Sequence, residues 1–285
     1  MASGSENQGN TSFDGEQLRQ ELYDKGYAVV PDLLTLKECD ALTSQFRDWV
    51  GKFEEGQIPL QKKSSVIQSY RVGHFQQSWE VRLRAKAVFQ AVWGTEKLLS
   101  SVDGIAISKP PLNAEFYQTF SDATKRTERS DFCKLSKTQK DFFYRKGCNL
   151  VNVPVPKGGI VLWDSRTVHD NTPPIAKRSN PDRWRFVVFV SMTPAIWASE
   201  KDMEFKKDAY RRMLLTTHWS SQGLKTFKEY IENKRKRNYV NVSIDHLPDV
   251  AKTQEARLLA GDEHYDFEDG RPNGPAAPKW RFGIY

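Results

Sequence analysis

A chain of 285 residues that is 38% hydrophobic and 28% charged, with a mean hydropathy of −0.66, is long enough to bury a substantial core. No apolar run approaches the roughly 18 residues of a membrane span, so the sequence excludes a transmembrane segment and no membrane partner is expected. The net charge of +7 and pI near 9.2 fit an anionic partner, but much of the excess lies in residues 225–237, ending Lys234-Arg235-Lys236-Arg237, which reads first as a solvated helix face.

Residues 1–14 are small and polar, without a basic start or an apolar centre, and read as a disordered arm rather than a secretory leader. Residues 16–24 carry Leu18 and Leu22 four apart and predict a short amphipathic helix that Gly26 ends. Tyr27-Ala28-Val29-Val30 predicts a strand stopped by Pro31. Thr35-Leu36-Lys37-Glu38 is a capping box, opening a helix to about Val50 with Leu36, Cys39, Leu42, Phe46, Trp49 and Val50 on its core side. A second core helix is expected from Glu80 to about Ala91, stopped by Trp93-Gly94, and a further short helix from Thr95 to Leu99.

Residues 103–108 turn into a strand that Pro110-Pro111 terminates, and residues 134–144 form a plausible helix. Residues 149–155, 160–169 and 183–192 then read as three strands with no helix between them, which fits an antiparallel sandwich built by hairpins or sheet crossings. Residues 200–215, 224–237 and 253–260 are expected to be mainly helical. The folded unit is read as one domain, residues 15–261, followed by a polar, Pro/Gly-rich tail, residues 262–285.

Cys39, Cys133 and Cys148 stand apart with no C-x-x-C, so neither a disulfide framework nor a zinc knuckle is expected. A reducing, cytoplasmic setting follows as the expectation. Gly283-Ile284-Tyr285 is no peroxisomal address, and Lys234 to Arg237 is a short nuclear-type run.

The stretch with the most chemical content is Gly158-Gly159-Ile160-Val161-Leu162-Trp163-Asp164-Ser165-Arg166-Thr167-Val168-His169. If it is extended, Val161, Trp163, Ser165, Thr167 and His169 share one face. On the next strand Arg183, Arg185, Val187 and Phe189 share a face, which would set a guanidinium inside a sheet where it needs an anionic partner. A strand-end imidazole and a guanidinium fork suit non-haem iron and the distal carboxylate of a 2-oxo acid. Taken singly, the same residues also read as a hydrogen-bonded turn histidine and an ordinary ion-paired arginine.

The run Leu162 to His169, with Arg183-Trp184-Arg185 and Ser191-Met192-Thr193-Pro194 after it, resembles the C-terminal half of phytanoyl-CoA dioxygenase-like oxygenases. Gly26-Tyr27-Ala28-Val29-Val30-Pro31, Gly73-His74-Phe75-Gln76-Gln77-Ser78-Trp79 and Thr217-His218-Trp219 are similar to further motifs of that family. The resemblance implies an α+β fold: a double-stranded β-helix, a jelly-roll or cupin-like core, with flanking helices. It implies Fe(II) and 2-oxoglutarate as cofactors and a small-molecule or acyl substrate. His169 matches the distal iron histidine, and Arg185, with Arg183 in reserve, the 2-oxoglutarate arginine. His74 and Trp163 are candidates for the substrate pocket, beside the plainer readings of a backbone-bonded histidine and a sheet-core tryptophan.

The family also carries an H-x-D/E pair upstream of the distal histidine, and this chain has none before His169. His264-Tyr265-Asp266 lies on the wrong side of it. The pair is expected where Pro110-Pro111-Leu112 stands, so an internal segment is missing between residues 111 and 112, and with it several core strands. Two further readings stay open: an inactive relative that keeps a carboxylate-binding or interaction role, and a basic nucleic-acid-binding protein using residues 225–237.

Overall fold

Asp14 opens the first helix. Its carboxylate accepts the Glu16 and Gln17 amides at 3.0 Å each, and α1 (Gly15–Lys25) runs to Gly26, whose φ of 77° ends it. The computed structural model describes residues 13–53, 66–108, 136–164, 167, 169, 183–227 and 242–278. After Gly26 come β1 (Tyr27–Val30) and α2 (Leu36–Gly51). The expected capping box is present: Thr35 Oγ1 accepts the Glu38 amide, and the Glu38 carboxylate accepts the Thr35 amide at 2.7 Å. β2 (Val66–Ile67) leads to a 3-10 turn (Val72–His74) and to α3 (Gln76–Trp93), which starts one turn before its expected position and ends at Gly94, φ 65°.

Two expectations fail on either side of the undescribed residues 109–135. Residues 95–99 do not form a helix; the chain extends into β3 (Leu98–Ser100) because a later strand, β7 (Met192–Pro194), pairs with it. β4 (Ile105–Ser108) follows as expected. Beyond the exposed helix α4 (Lys137–Arg145), residues 149–155 are not a strand. Leu150 and Val151 are exposed, Pro154 and Pro156 donate nothing to a ladder, and no strand among the described residues pairs with the stretch.

β5 (Ile160–Trp163) is shorter than the expected 160–169, because the Thr167 amide turns back onto the Asp164 carbonyl at 2.9 Å. β6 (Arg185–Val188), β7, α5 (Glu200–Arg211) and α6 (Gln254–Ala260) complete the described elements. Residues 224–227 are not helical, and 228–241, with most of the basic run, lie outside the described residues.

The strands form three small antiparallel sheets, β1-β5, β2-β4-β6 and β3-β7, and no closed barrel among the described residues. β5, β6 and β7 each cross to an earlier strand rather than forming hairpins with one another. One face of each larger unit is sealed by helices. Ala28, Val30 and Leu162 pack with Leu18 of α1 and Val88 of α3. Ile67, Ile105 and Ile107 pack with Phe46, Trp49 and Trp79, and Trp184, Phe186 and Val188 lie against them. Phe186 stacks between Phe46 (6.0 Å) and Trp184 (5.8 Å).

Residues 262–278 are held against the body and do not trail away from it. Tyr265 and Phe267 cover Leu99, Ala195 and Met203, and Trp197 Nε1 donates to the Pro275 carbonyl at 2.8 Å.

Candidate functional site

The end of β5 is built on Gly26. The Asp164 amide and the Thr167 hydroxyl both donate to the Gly26 carbonyl, at 2.9 and 3.3 Å. A Cβ on Gly26 would stand 2.2 Å from Thr167 Oγ1, so the close approach requires glycine. Thr167 in turn places His169: its carbonyl lies 2.7 Å from His169 Nδ1. A carbonyl only accepts, so Nδ1 is the donor in this contact, and Nε2 is the ring nitrogen that it leaves unused. The exposed imidazole sits 5.5 Å from the Trp163 ring, which is itself 42% exposed.

Trp163 belongs to the face of the β1-β5 sheet opposite the helices. Tyr27 pairs with Trp163 and Val29 with Val161, and the described hydrophobic clusters include none of these four side chains. The β2-β4-β6 sheet repeats the pattern. Trp184, Phe186 and Val188 occupy its core face, which leaves Arg183 and Arg185 on the other. Both arginines are exposed, which corrects the expectation of a guanidinium buried within the sheet. The physical reason is that stacking on Phe46 uses the inward side of β6 for aromatic rings. The structure therefore brings Trp163 and His169 together, and sets Arg185 on a strand of a different sheet with Arg183 just before it.

His74 lies in neither region. It is fully buried, Nε2 donates to the Leu214 carbonyl at 3.0 Å, and its ring packs near Trp79 and Tyr210. Burial pulls its pKa down to about 3, so it is a neutral core histidine rather than a residue at a pocket mouth.

Several buried ionisable groups escaped the sequence reading, Arg82, Lys206 and Asp103 among them. Arg82, on a helix that reads as amphipathic, is fully buried; Nε donates to the Ser101 carbonyl and Nη1 to the Gly73 carbonyl, 3.1 Å each, and the guanidinium lies 4.6 Å from the Trp79 ring centroid. Burial lowers its pKa to about 10, so it stays charged at neutral pH. Lys206 donates to the Ser100 carbonyl at 2.7 Å and burial brings it to about 7; Asp103, also buried, is raised to about 6. Helical periodicity gives no warning of Arg82, because α3 buries Gln77, Ser78 and Arg82 along with its apolar residues.

Among the described residues no group of three His, Cys, Asp or Glu side chains can hold a metal ion. His169 supplies one nitrogen, and the described residues do not meet the three-ligand iron site that the resemblance implies. The join at residues 111 and 112 lies outside the described residues. A cleft of about 560 Å³ beside Arg19, Val92, Trp93 and residues 272–275 contains none of the candidate residues. No described helix is long and apolar enough to cross a membrane.

In comparison with known proteins, no family model matches the chain, and no solved structure matches it. It is similar to Ava biosynthesis cluster protein O of Aspergillus versicolor, 21% identical over 266 aligned residues that cover 70% of this chain and 84% of the relative. Because 70% of 285 residues is about 200, the alignment includes positions of the relative that have no counterpart here.

Proposed function

We propose that the chain is an oxygenase-type protein of the phytanoyl-CoA dioxygenase class, Fe(II)- and 2-oxoglutarate-dependent by descent, in a form that lacks the H-x-D ligand pair. The observation that carries this reading is the shared orientation of the candidate residues. Trp163 and its neighbour His169, and Arg185, belong to the faces of two small sheets that look away from the helices. A double-stranded β-helix places metal and cosubstrate between two such faces, and the strands that would close it are those of the missing segment.

The His169 ring supports the reading too. A metal-binding imidazole is commonly fixed by donating its other N–H to a carbonyl, as Nδ1 does to Thr167. The bound group would supply oxidation of a substrate C–H bond. In this chain His169 offers Nε2 to it, Arg185 offers a guanidinium to a carboxylate, and Trp163 offers an apolar wall. The name of the Aspergillus relative refers to a biosynthesis cluster, and its unmatched positions agree with a segment lost here. A small molecule, or its acyl ester, is the substrate class we assign.

With one ligand of three, the expected behaviour of the chain is carboxylate binding without turnover, the part of the ancestral chemistry that its described residues support. Calorimetry with 2-oxoglutarate on the metal-free chain tests it. One-site binding that Arg185→Ala removes, without succinate formation, is the expected result. No binding, or binding that Arg185→Ala leaves intact, would overturn it.

A further inference from the structure

We propose that the surface beneath residues 262–278 is a docking slot in its own right, filled here by the chain's own strap and able to accept the strap of a second copy. Lys97 is its centre. Only 1% of its side chain is exposed, and Nζ donates to Asp269 Oδ1 at 2.5 Å, Asn273 Oδ1 at 2.7 Å and the Arg271 carbonyl at 3.3 Å. All three acceptors come from the strap. Thr95 Oγ1 holds the Pro272 carbonyl at 2.7 Å, Trp197 Nε1 the Pro275 carbonyl, and Glu96 pairs with Arg271. At the other end, the Tyr265 hydroxyl donates to the Leu98 carbonyl at 3.0 Å.

These anchors recognise a specific extended segment: an aromatic pair over Leu99, Ala195 and Met203, then an acid, an asparagine and two carbonyls at fixed spacing. Gly274 fits because a Cβ there would stand 2.8 Å from Thr95 Cγ2. Another copy of this chain carries that pattern, which is why the second copy is the occupant assigned. Asp262, at the base of the strap, stays with the body through Arg211 and Arg257 at 3.2 and 2.9 Å, so exchange requires only the residues beyond it to part from the slot. In the wild-type chain the tethered strap competes at millimolar effective concentration, which favours self-occupation.

The test pairs two full-length variants. Asp269→Asn keeps the slot and weakens the strap; Lys97→Met keeps the strap and disables the slot. Mixed, they are expected to form a 1:1 complex by light scattering, with each alone remaining monomeric; a mixture in which both stay monomeric overturns the proposal. If circular dichroism shows Lys97→Met unfolded, a labelled peptide of residues 262–278 is titrated into Asp269→Asn. Binding roughly tenfold tighter than to the wild-type chain supports the slot, and equal or absent binding overturns it.

Discussion

The hydroxyl of Thr167 occupies the space that a side chain on Gly26 would fill, and this contact joins the end of the first helix to the turn that carries His169. Gly26→Ala acts at both ends of it. A left-handed alanine costs about 1–2 kcal/mol, and its methyl group would displace Thr167. The expected outcome is a stability loss of that order in urea unfolding, together with a changed His169 imidazole signal by NMR. Thr167→Val, which keeps the bulk and removes the hydroxyl, is expected to lower stability by less than Gly26→Ala.

Stability is expected to depend on pH through two buried bases. Lys206 is held near 7 by burial and an unfolded lysine lies near 10.5, so the unfolded state binds more protons between these values. Stability therefore rises with pH across that window, by at most about 1.4 kcal/mol per pH unit. His74 works the same way at lower pH: folded near 3 and unfolded near 6.5, it loses stability as pH falls through that range, while Asp103, raised to about 6, opposes part of that change between about 4 and 6. Urea unfolding midpoints between pH 3 and 10 check both slopes. Lys206→Met should flatten the alkaline limb and leave the acid limb in place.

Arg82→Leu removes a buried cation, takes the guanidinium donor from the Gly73 carbonyl and leaves the Ser101 carbonyl with the Ser100 hydroxyl alone. A loss of about 2–4 kcal/mol is expected, measured by chemical unfolding. Arg82 belongs to the core beneath Trp79, so the variant should keep 2-oxoglutarate binding under conditions where it is folded. Arg185→Ala should do the opposite, losing binding with little change in stability, because its side chain is exposed.

Local signals carried much of the fold. Gly26, Thr35, Glu38 and Gly94 mark helix ends whose hydrogen bonds are satisfied within a few residues, and such ends are legible without any tertiary knowledge, whereas Asp14, read as the end of a disordered arm, caps the first helix. The failures lie where a distant partner decides. The helix expected at residues 95–99 gives way to the strand Leu98 to Ser100 because Met192 to Pro194, some ninety residues away, pair with it. The strap reads as a polar, Pro/Gly-rich tail outside the folded unit because its anchors, Lys97 and Trp197, are far from it in sequence. In the candidate site, the pairing of Trp163 with His169 was legible from strand alternation, although a turn rather than an extended strand brings it about. The direction of Arg185 was not, because parity gives a shared face without saying which face the helices cover.

The reading frame across Pro111 and Leu112 tests the central claim, that this chain is the product of an oxygenase gene whose H-x-D segment is left out between these two residues. Sequencing full-length transcripts together with the gene they come from decides it. An in-frame stretch of several tens of codons between these positions, encoding H-x-D or H-x-E, is the predicted result. Contiguous codons for Pro111 and Leu112 in the gene itself, with no such stretch between them, would contradict it.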